Sequence, residues 1–228
     1  MLTDHRRAFR YAGGLVVALV LVLVAVGRHP YNEAPVTTFP FVGHFDQRMY
    51  DWMQSIRNVV FTGIFKVLNI VGGGAVTIPV RIAASVILLV RRRWRAFFAF
   101  TLTWAASEIL LSVLKTYYHR GRPPLPLVVT SGNSFPSGHA VAGAATAVAL
   151  VLAFLPPGPR RRKWEWLAVI FAFVMAFSRV YLNAHWFSDV VAGVLLGTSI
   201  AIGSAALVTE IRNIWFRRHG IAIPAPDG

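Results

Sequence analysis

The chain has 228 residues, is 56% hydrophobic and only 14% charged, and carries no cysteine and a formal charge of +14. A soluble domain carries roughly a quarter charged residues, so an ordinary soluble fold is excluded, and the lack of cysteine excludes disulfides, thiolate catalysis and Cys-ligated zinc. The positive charge does not point to nucleic acid, because the basic residues stand in short segments between long apolar runs, the pattern of membrane topology.

A bilayer crossing takes about 20 apolar residues, and six segments fit, near 10–27, 74–91, 95–115, 138–155, 164–182 and 187–209. The first follows His5-Arg6-Arg7 and resembles a signal peptide, but its apolar run is long and no small-x-small cleavage site follows it. It is expected to remain as the first span. In 45–70, Phe45, Met49, Trp52, Ile56, Val60, Ile64 and Val67 recur at helical spacing, with Asp46, Arg48, Asp51, Gln54, Arg57 and Asn58 on other faces. That pattern predicts one amphipathic helix lying in the membrane interface; a seventh, shorter span is the rival reading. Gly72-Gly73-Gly74 then marks a turn into the second span. With no strand alternation, no repeats and no linkers, the expectation is a single all-α domain over 1–228, a polytopic membrane helix bundle.

Six spans place the basic clusters on one side: His5-Arg6-Arg7 with Arg10, Arg91-Arg92-Arg93 with Arg95, Arg160-Arg161-Arg162-Lys163, and Arg212 with Arg217-Arg218. The positive-inside rule makes that side cytoplasmic, and the expected location is a bacterial cytoplasmic membrane with 28–73, 116–137 and 183–186 on the outer face. Gly193 and Gly197 are spaced for close helix approach, as are Ala140 and Ala144, and packing within one chain is the preferred use over dimerisation.

Three clusters on the outer face carry chemistry. They are Lys115 with Arg120 and Arg122-Pro123; Pro136-Ser137-Gly138-His139, opening the fourth span; and Ser178-Arg179 with His185 and Asp189, across the junction of the last two spans. A phosphate monoester carries up to two negative charges, which Lys115, Arg122 and Arg179 can neutralise, the guanidiniums with paired donors. Gly138 permits close backbone approach, and Ser137 is expected to cap a helix whose N-terminus favours an anion. His185 and Asp189 share a face if helical. A carboxylate on one imidazole nitrogen fixes the tautomer and frees the other nitrogen to attack, which leaves His139 to protonate the leaving oxygen. Taken singly, each feature has a bland reading: snorkelling cations, a turn with a cap, structural histidines. Their convergence on one side of one membrane favours a site.

These residues resemble the type 2 phosphatidic acid phosphatase (PAP2) superfamily, its integral-membrane lipid phosphatase branch. The family pattern of Lys, six residues, Arg-Pro matches Lys115 to Pro123; Pro-Ser-Gly-His matches Pro136 to His139; Ser-Arg, five residues, His, three residues, Asp matches Ser178 to Asp189, without departure at any motif position. The resemblance implies His185 as the nucleophile of a phosphohistidine intermediate, Asp189 orienting it and His139 as general acid. It implies Lys115, Arg122, Ser137, Gly138 and Arg179 as the phosphate cradle, with Arg120 a lesser candidate. It also implies that no metal or other cofactor is used; one carboxylate amid several cations is a poor metal cage. The partners implied are a lipid phosphate and the membrane. Phosphatidic acid, phosphatidylglycerol phosphate and undecaprenyl diphosphate all present a terminal phosphate at the same depth, and the motifs do not choose among them. The alternatives are a vanadate-dependent haloperoxidase, which shares the oxyanion pocket, and a non-catalytic lipid-binding or transport protein with a vestigial site.

Two further charges, Arg81 and Glu108, fall inside spans at about 10 Å depth. Charges there are expensive unless paired or wet, so an Arg81–Glu108 contact is expected. Glu108 also shares a helix face with Lys115 and is a candidate to position it.

Overall fold

The computed structural model describes residues 5–27 and 38–222, with side chains from Arg7 onward. The expected outer segment 28–37 and the side chains of His5 and Arg6 lie outside the described residues. The described residues form eight helices and no strand: α1 (His5–Val26), α2 (Pro40–Ser55), α3 (Val59–Val71), α4 (Gly74–Val90), α5 (Trp94–Tyr118), α6 (Gly138–Phe154), α7 (Pro159–Tyr181) and α8 (Phe187–Arg218).

α8 is the central post, with α1, α5, α6 and α7 packed around it. Glycine sets its closest approach to α6. A Cβ on Gly193 would lie 2.8 Å from both Ala140 Cβ and Ser137 O, and one on Gly197 would lie 2.5 Å from Val141 O. The small-residue spacing of the sequence is thus used inside the chain, where backbones meet without side chains between them.

One expectation is corrected and a second is met only in part. The stretch 45–70 is not one amphipathic helix. α2 ends at Ser55, and α3 starts afresh at Val59, with Asn58 Oδ1 accepting from Phe61 N at 2.9 Å. Tyr181 of α7 pins the junction: its hydroxyl accepts from Asn58 N at 3.0 Å and donates to Asn58 O at 3.2 Å. Helical periodicity therefore ran through a break, because a capped junction costs the pattern nothing. α2 keeps a buried face at Asp46, Tyr50 and Met53, whereas α3 is apolar with no buried residue and runs into α4 as a pair bent by 43°. By length and composition, four helices (α1, α5, α7 and α8) can cross a membrane, or five if the bent pair is one span, against the six expected. α6 falls short because its 17 residues reach only about 26 Å.

Arg81 of α4 is buried, and its Nη1 lies 2.5 Å from Glu108 Oε1 of α5, while its Nε donates to Thr146 Oγ1 of α6 at 2.8 Å. Three helices are tied at this point. Glu108 is engaged here, whereas Lys115 donates its Nζ to Asn133 O at 2.5 Å.

Candidate active site

Five helix ends meet at one end of the bundle: the C-termini of α3, α5 and α7 and the N-termini of α6 and α8. All three sequence clusters arrive there.

His185 sits in the short α7–α8 connection, one residue before the N-cap Trp186, so its contact with Asp189 spans the start of α8 rather than one helical face. Its Nδ1 lies 3.5 Å from Asp189 Oδ2 and 3.4 Å from Ser134 Oγ. Ser134 Oγ itself donates to Asp189 Oδ2, leaving its lone pairs toward the ring. On the other edge, Arg122 Nη1 faces Nε2 at 3.2 Å. An arginine only donates, so Nε2 carries the lone pair and Nδ1 the hydrogen. His185 is 3% exposed. Burial is the main cause that lowers it from 6.5 to about 3, with the cations Arg122 and Arg179 adding to the shift and Asp189 opposing it. The ring is therefore neutral and oriented, with its Nε2 lone pair toward Arg122.

Asp189 is in turn held by a buried network that the motifs do not contain. Its Oδ2 accepts from Trp186 N at 2.9 Å, and its Oδ1 accepts from Arg120 Nη1 at 2.6 Å. The other arm of Arg120 donates to Asp46 Oδ2 of α2 at 2.7 Å. Asp46 also accepts from Ser188 N at 2.8 Å and from Ser188 Oγ at 2.6 Å. Arg120 is 1% exposed and sits between two carboxylates. Burial works against its charge, but Asp189 and Asp46 outweigh that and raise it above its ordinary value. Both arms of its guanidinium run to this network, which sets it behind Asp189, while its Nε is buried without a partner among the described residues.

The cationic side of the site is built from loop carbonyls. Arg122 donates through Nε to Gly132 O at 3.0 Å, through Nη2 to Ser131 O at 2.7 Å and through Nη1 to Ala184 O at 2.7 Å, joining the 131–133 loop to the His185 connection. Asn133 Nδ2 donates to Lys115 O at 2.8 Å and holds the end of α5 against the same loop. Ser137 occupies the N-cap position of α6 but makes no side-chain cap bond. Its N donates to Asp189 O at 3.0 Å, and its Oγ is buried with no partner among the described residues. Arg179 Nε is buried in the same condition. An unmet buried polar atom costs about 1–3 kcal/mol, and two such donors beside Lys115 and Arg122 suit an anion. Gly138 opens α6 and is partly exposed. His139 donates its Nε2 to Asn69 O of α3 at 3.0 Å, and Asn69 Oδ1 accepts from Arg179 Nη1.

Sequence reasoning missed Asp46, Ser134, Ser188 and Asn69. Asp46 was read as part of a polar helix face, and the two serines and Asn69 carry no pattern that separates them from surface polar residues. Among the described residues no three His, Asp or Glu side chains cluster in a way that could hold a metal ion.

The PAP2 superfamily model matches residues 96–213. An undecaprenyl-diphosphatase of Sulfolobus acidocaldarius is 28% identical over 171 residues, 72% of this chain and 78% of that protein. Phosphatidylglycerophosphatase B of Bacillus subtilis is 32% identical over 147 residues, 61% of this chain and 70% of that protein. In fold, the chain is similar to the crystal structure of a transmembrane PAP2-type phosphatidylglycerolphosphate phosphatase from Bacillus subtilis, with a TM-score of 0.74 and 22% identity over 88% of this chain and 96% of the other. It is also similar to LpxE of Aquifex aeolicus, with a TM-score of 0.58 and 22% identity over 69% of this chain and 93% of the other.

Proposed function

This chain belongs to the PAP2 superfamily, and on that premise we propose that it is an integral membrane hydrolase that removes a terminal phosphate from a lipid phosphate or diphosphate through a phosphohistidine at His185. The observation that carries the reading is the orientation of His185, with Nδ1 toward Ser134 and Asp189 and Nε2 toward Arg122. The Nε2 lone pair attacks phosphorus, and the bond from phosphorus to the lipid oxygen breaks. His139 gives that oxygen a proton. Water then attacks the phosphohistidine, returns a proton to His139 and releases inorganic phosphate. Lys115, Arg122, Arg179, the Ser137 hydroxyl and the backbone at Gly138 surround the phosphoryl oxygens, where positive charge is worth most as negative charge concentrates in the transition state. The donor set is cationic and suits an anion without a metal.

The substrate class is a lipid whose phosphate stands at the membrane surface. Relatives named for undecaprenyl diphosphate and for phosphatidylglycerol phosphate support a terminal phosphate as the shared recognition element. Six crossings follow if α3–α4 counts as one bent span and α6 as a short one. The arginine-bearing ends of α1, α4, α7 and α8 then share the cytoplasmic side, and the site opens on the extracytoplasmic face.

The test is phosphate release in chelator from phosphatidic acid, phosphatidylglycerol phosphate and undecaprenyl diphosphate, by wild type and by His185→Ala. Release by wild type alone, blocked by vanadate, supports the reading. Equal release by His185→Ala refutes the nucleophile, and no release from any of the three lipids refutes the function.

A further inference from the structure

Asn69 belongs to none of the three motifs and lies on α3, ahead of the break at Gly72-Gly73. It nonetheless holds two groups of the site at once, Arg179 through its side chain and His139 through its main chain. We propose that Asn69 is a positioning residue for the hydrolysis, aiming the Arg179 guanidinium at the phosphoryl group and confining the mobile proton of His139 to Nδ1. The inference rests on the phosphatase reading above and adds a residue to it.

The end of α3 makes the main-chain contact available. Gly72 N donates to Leu68 O at 2.9 Å and Gly73 N donates to Ile70 O at 3.1 Å, so the closing turn passes over Asn69 O. The last carbonyls of a helix lack intrahelical partners, and this one is met by the His139 ring. A carbonyl only accepts, so Nε2 keeps its hydrogen whether the ring is neutral or charged. The neutral ring then has its lone pair at Nδ1, and the charged ring carries its second hydrogen there. With the phosphate bound and the ring charged by a proton taken up with it, the leaving lipid oxygen takes the Nδ1 proton and the ring becomes neutral; when water attacks the phosphohistidine, Nδ1 recovers a proton and the ring is charged again. The Nε2 hydrogen stays on Asn69 O through both steps, and the proton balance closes over one turnover.

The approach depends on glycine. A Cβ on Gly72 would lie 3.1 Å from His139 Cδ2 and 2.5 Å from Met175 Sδ, and one on Gly73 would lie 3.2 Å from Asn69 O. The glycines at the break let the imidazole lie flush against the turn. On the other side, Asn69 Oδ1 takes one arm of Arg179 and leaves Nε, buried and unpartnered among the described residues, for the substrate. An amide oxygen orients a guanidinium without cancelling its charge. A carboxylate at the same place would compete with the phosphate.

The experiment uses the full chain in lipid–detergent micelles with a lipid phosphate that wild type hydrolyses. Asn69→Ala removes the amide and keeps the carbonyl; Asn69→Asp keeps the shape and adds a charge. A charge-assisted hydrogen bond supports an expected rise in KM of about 10-fold for Asn69→Ala, with kcat changed much less, and a larger rise for Asn69→Asp. In an Arg179→Lys background, Asn69→Ala is expected to cost far less, since the two groups act together. Nitrogen NMR of His139 is expected to show Nε2 protonated and Nδ1 bare in the neutral ring, in wild type and in Asn69→Ala. The inference is overturned by unchanged kinetics in both variants, by effects additive with Arg179→Lys, or by the opposite tautomer. Those results with an active wild type sink Asn69 alone; an inactive wild type sinks the phosphatase reading beneath it. Should Asn69→Ala fail to fold, the near-isosteric Asn69→Asp carries the kinetic test.

Discussion

His185 is buried, and the proposed chemistry also asks it to react, two requirements that usually oppose each other. Burial keeps the ring neutral, and the Ser134–Asp189 pair keeps the hydrogen on Nδ1, so the lone pair at Nε2 is present without deprotonation by a base. Because its folded-state value, about 3, lies below the ordinary 6.5, the unfolded chain takes up the proton first as pH falls. The stability from this group is therefore complete above about 6.5 and lost as pH drops toward about 3. Nitrogen NMR of substrate-free protein is expected to show a neutral His185 from pH 7 down to about 4.5; titration near 6.5 would contradict the burial argument. Behind it, Asp46→Ala strips one carboxylate from a buried arginine. Breaking a buried pair on one side costs about 3–5 kcal/mol, so chemical unfolding is expected to show a loss of that size, and a loss under about 1 kcal/mol would make the network incidental. The motif residues were legible in the sequence because their chemistry is unusual for a membrane chain. Asp46 and Arg120 were not legible in their roles, because a buried ion network joins positions 46, 120 and 189, and no local pattern reports a contact across that separation.

At the scale of elements, spacing was a sound guide where one helix face meets one neighbour. Gly193 and Gly197 were readable as a close-approach stripe, and α8 uses them against α6. Gly197→Ala places a Cβ 2.5 Å from Val141 O, a backbone atom that cannot move aside alone. Overpacking of this kind costs about 1–3 kcal/mol, and because α6 carries Ser137 and His139 at its start, a thermal midpoint measurement is expected to fall together with turnover. An unchanged midpoint would mean that α6 and α8 pack less tightly. The Arg81–Glu108 contact was expected from the cost of intramembrane charge, and Thr146 joins it from α6. Half of the Glu108 side chain faces outward, so coupling between Arg81→Gln and Glu108→Gln is expected at about 0.5–1 kcal/mol in a double-mutant cycle on stability; strictly additive losses would refute it. The 45–70 stretch was misread because periodicity cannot see a cap: Asn58 restarts the helix without disturbing the apolar spacing, and its anchor, Tyr181, lies far away in sequence.

For the molecule as a whole, alternating helix direction sends the arginine clusters between and beyond the helices to one end and the three motif clusters to the other. Six apolar runs were readable in the sequence, but their helices are unequal: four are long enough to cross a membrane, or five with the bent α3–α4 pair, and α6 is short and starts at the site itself. With no native cysteine, topology is open to single-cysteine labelling. Val129→Cys, fully exposed beside the site, is expected to react with an impermeant maleimide on intact cells, and Arg92→Cys, at the opposite end, only after permeabilisation; the reverse pattern would turn the site inward. The proposed reaction has Nε2 of His185 give its lone pair to phosphorus. It is tested most directly by quenching the enzyme during turnover of a labelled lipid phosphate and locating the phosphoryl group. Phosphate on Nε2 of His185, absent from His185→Ala, is the expected result. Label on His139, or turnover by His185→Ala at the wild-type rate, would contradict it.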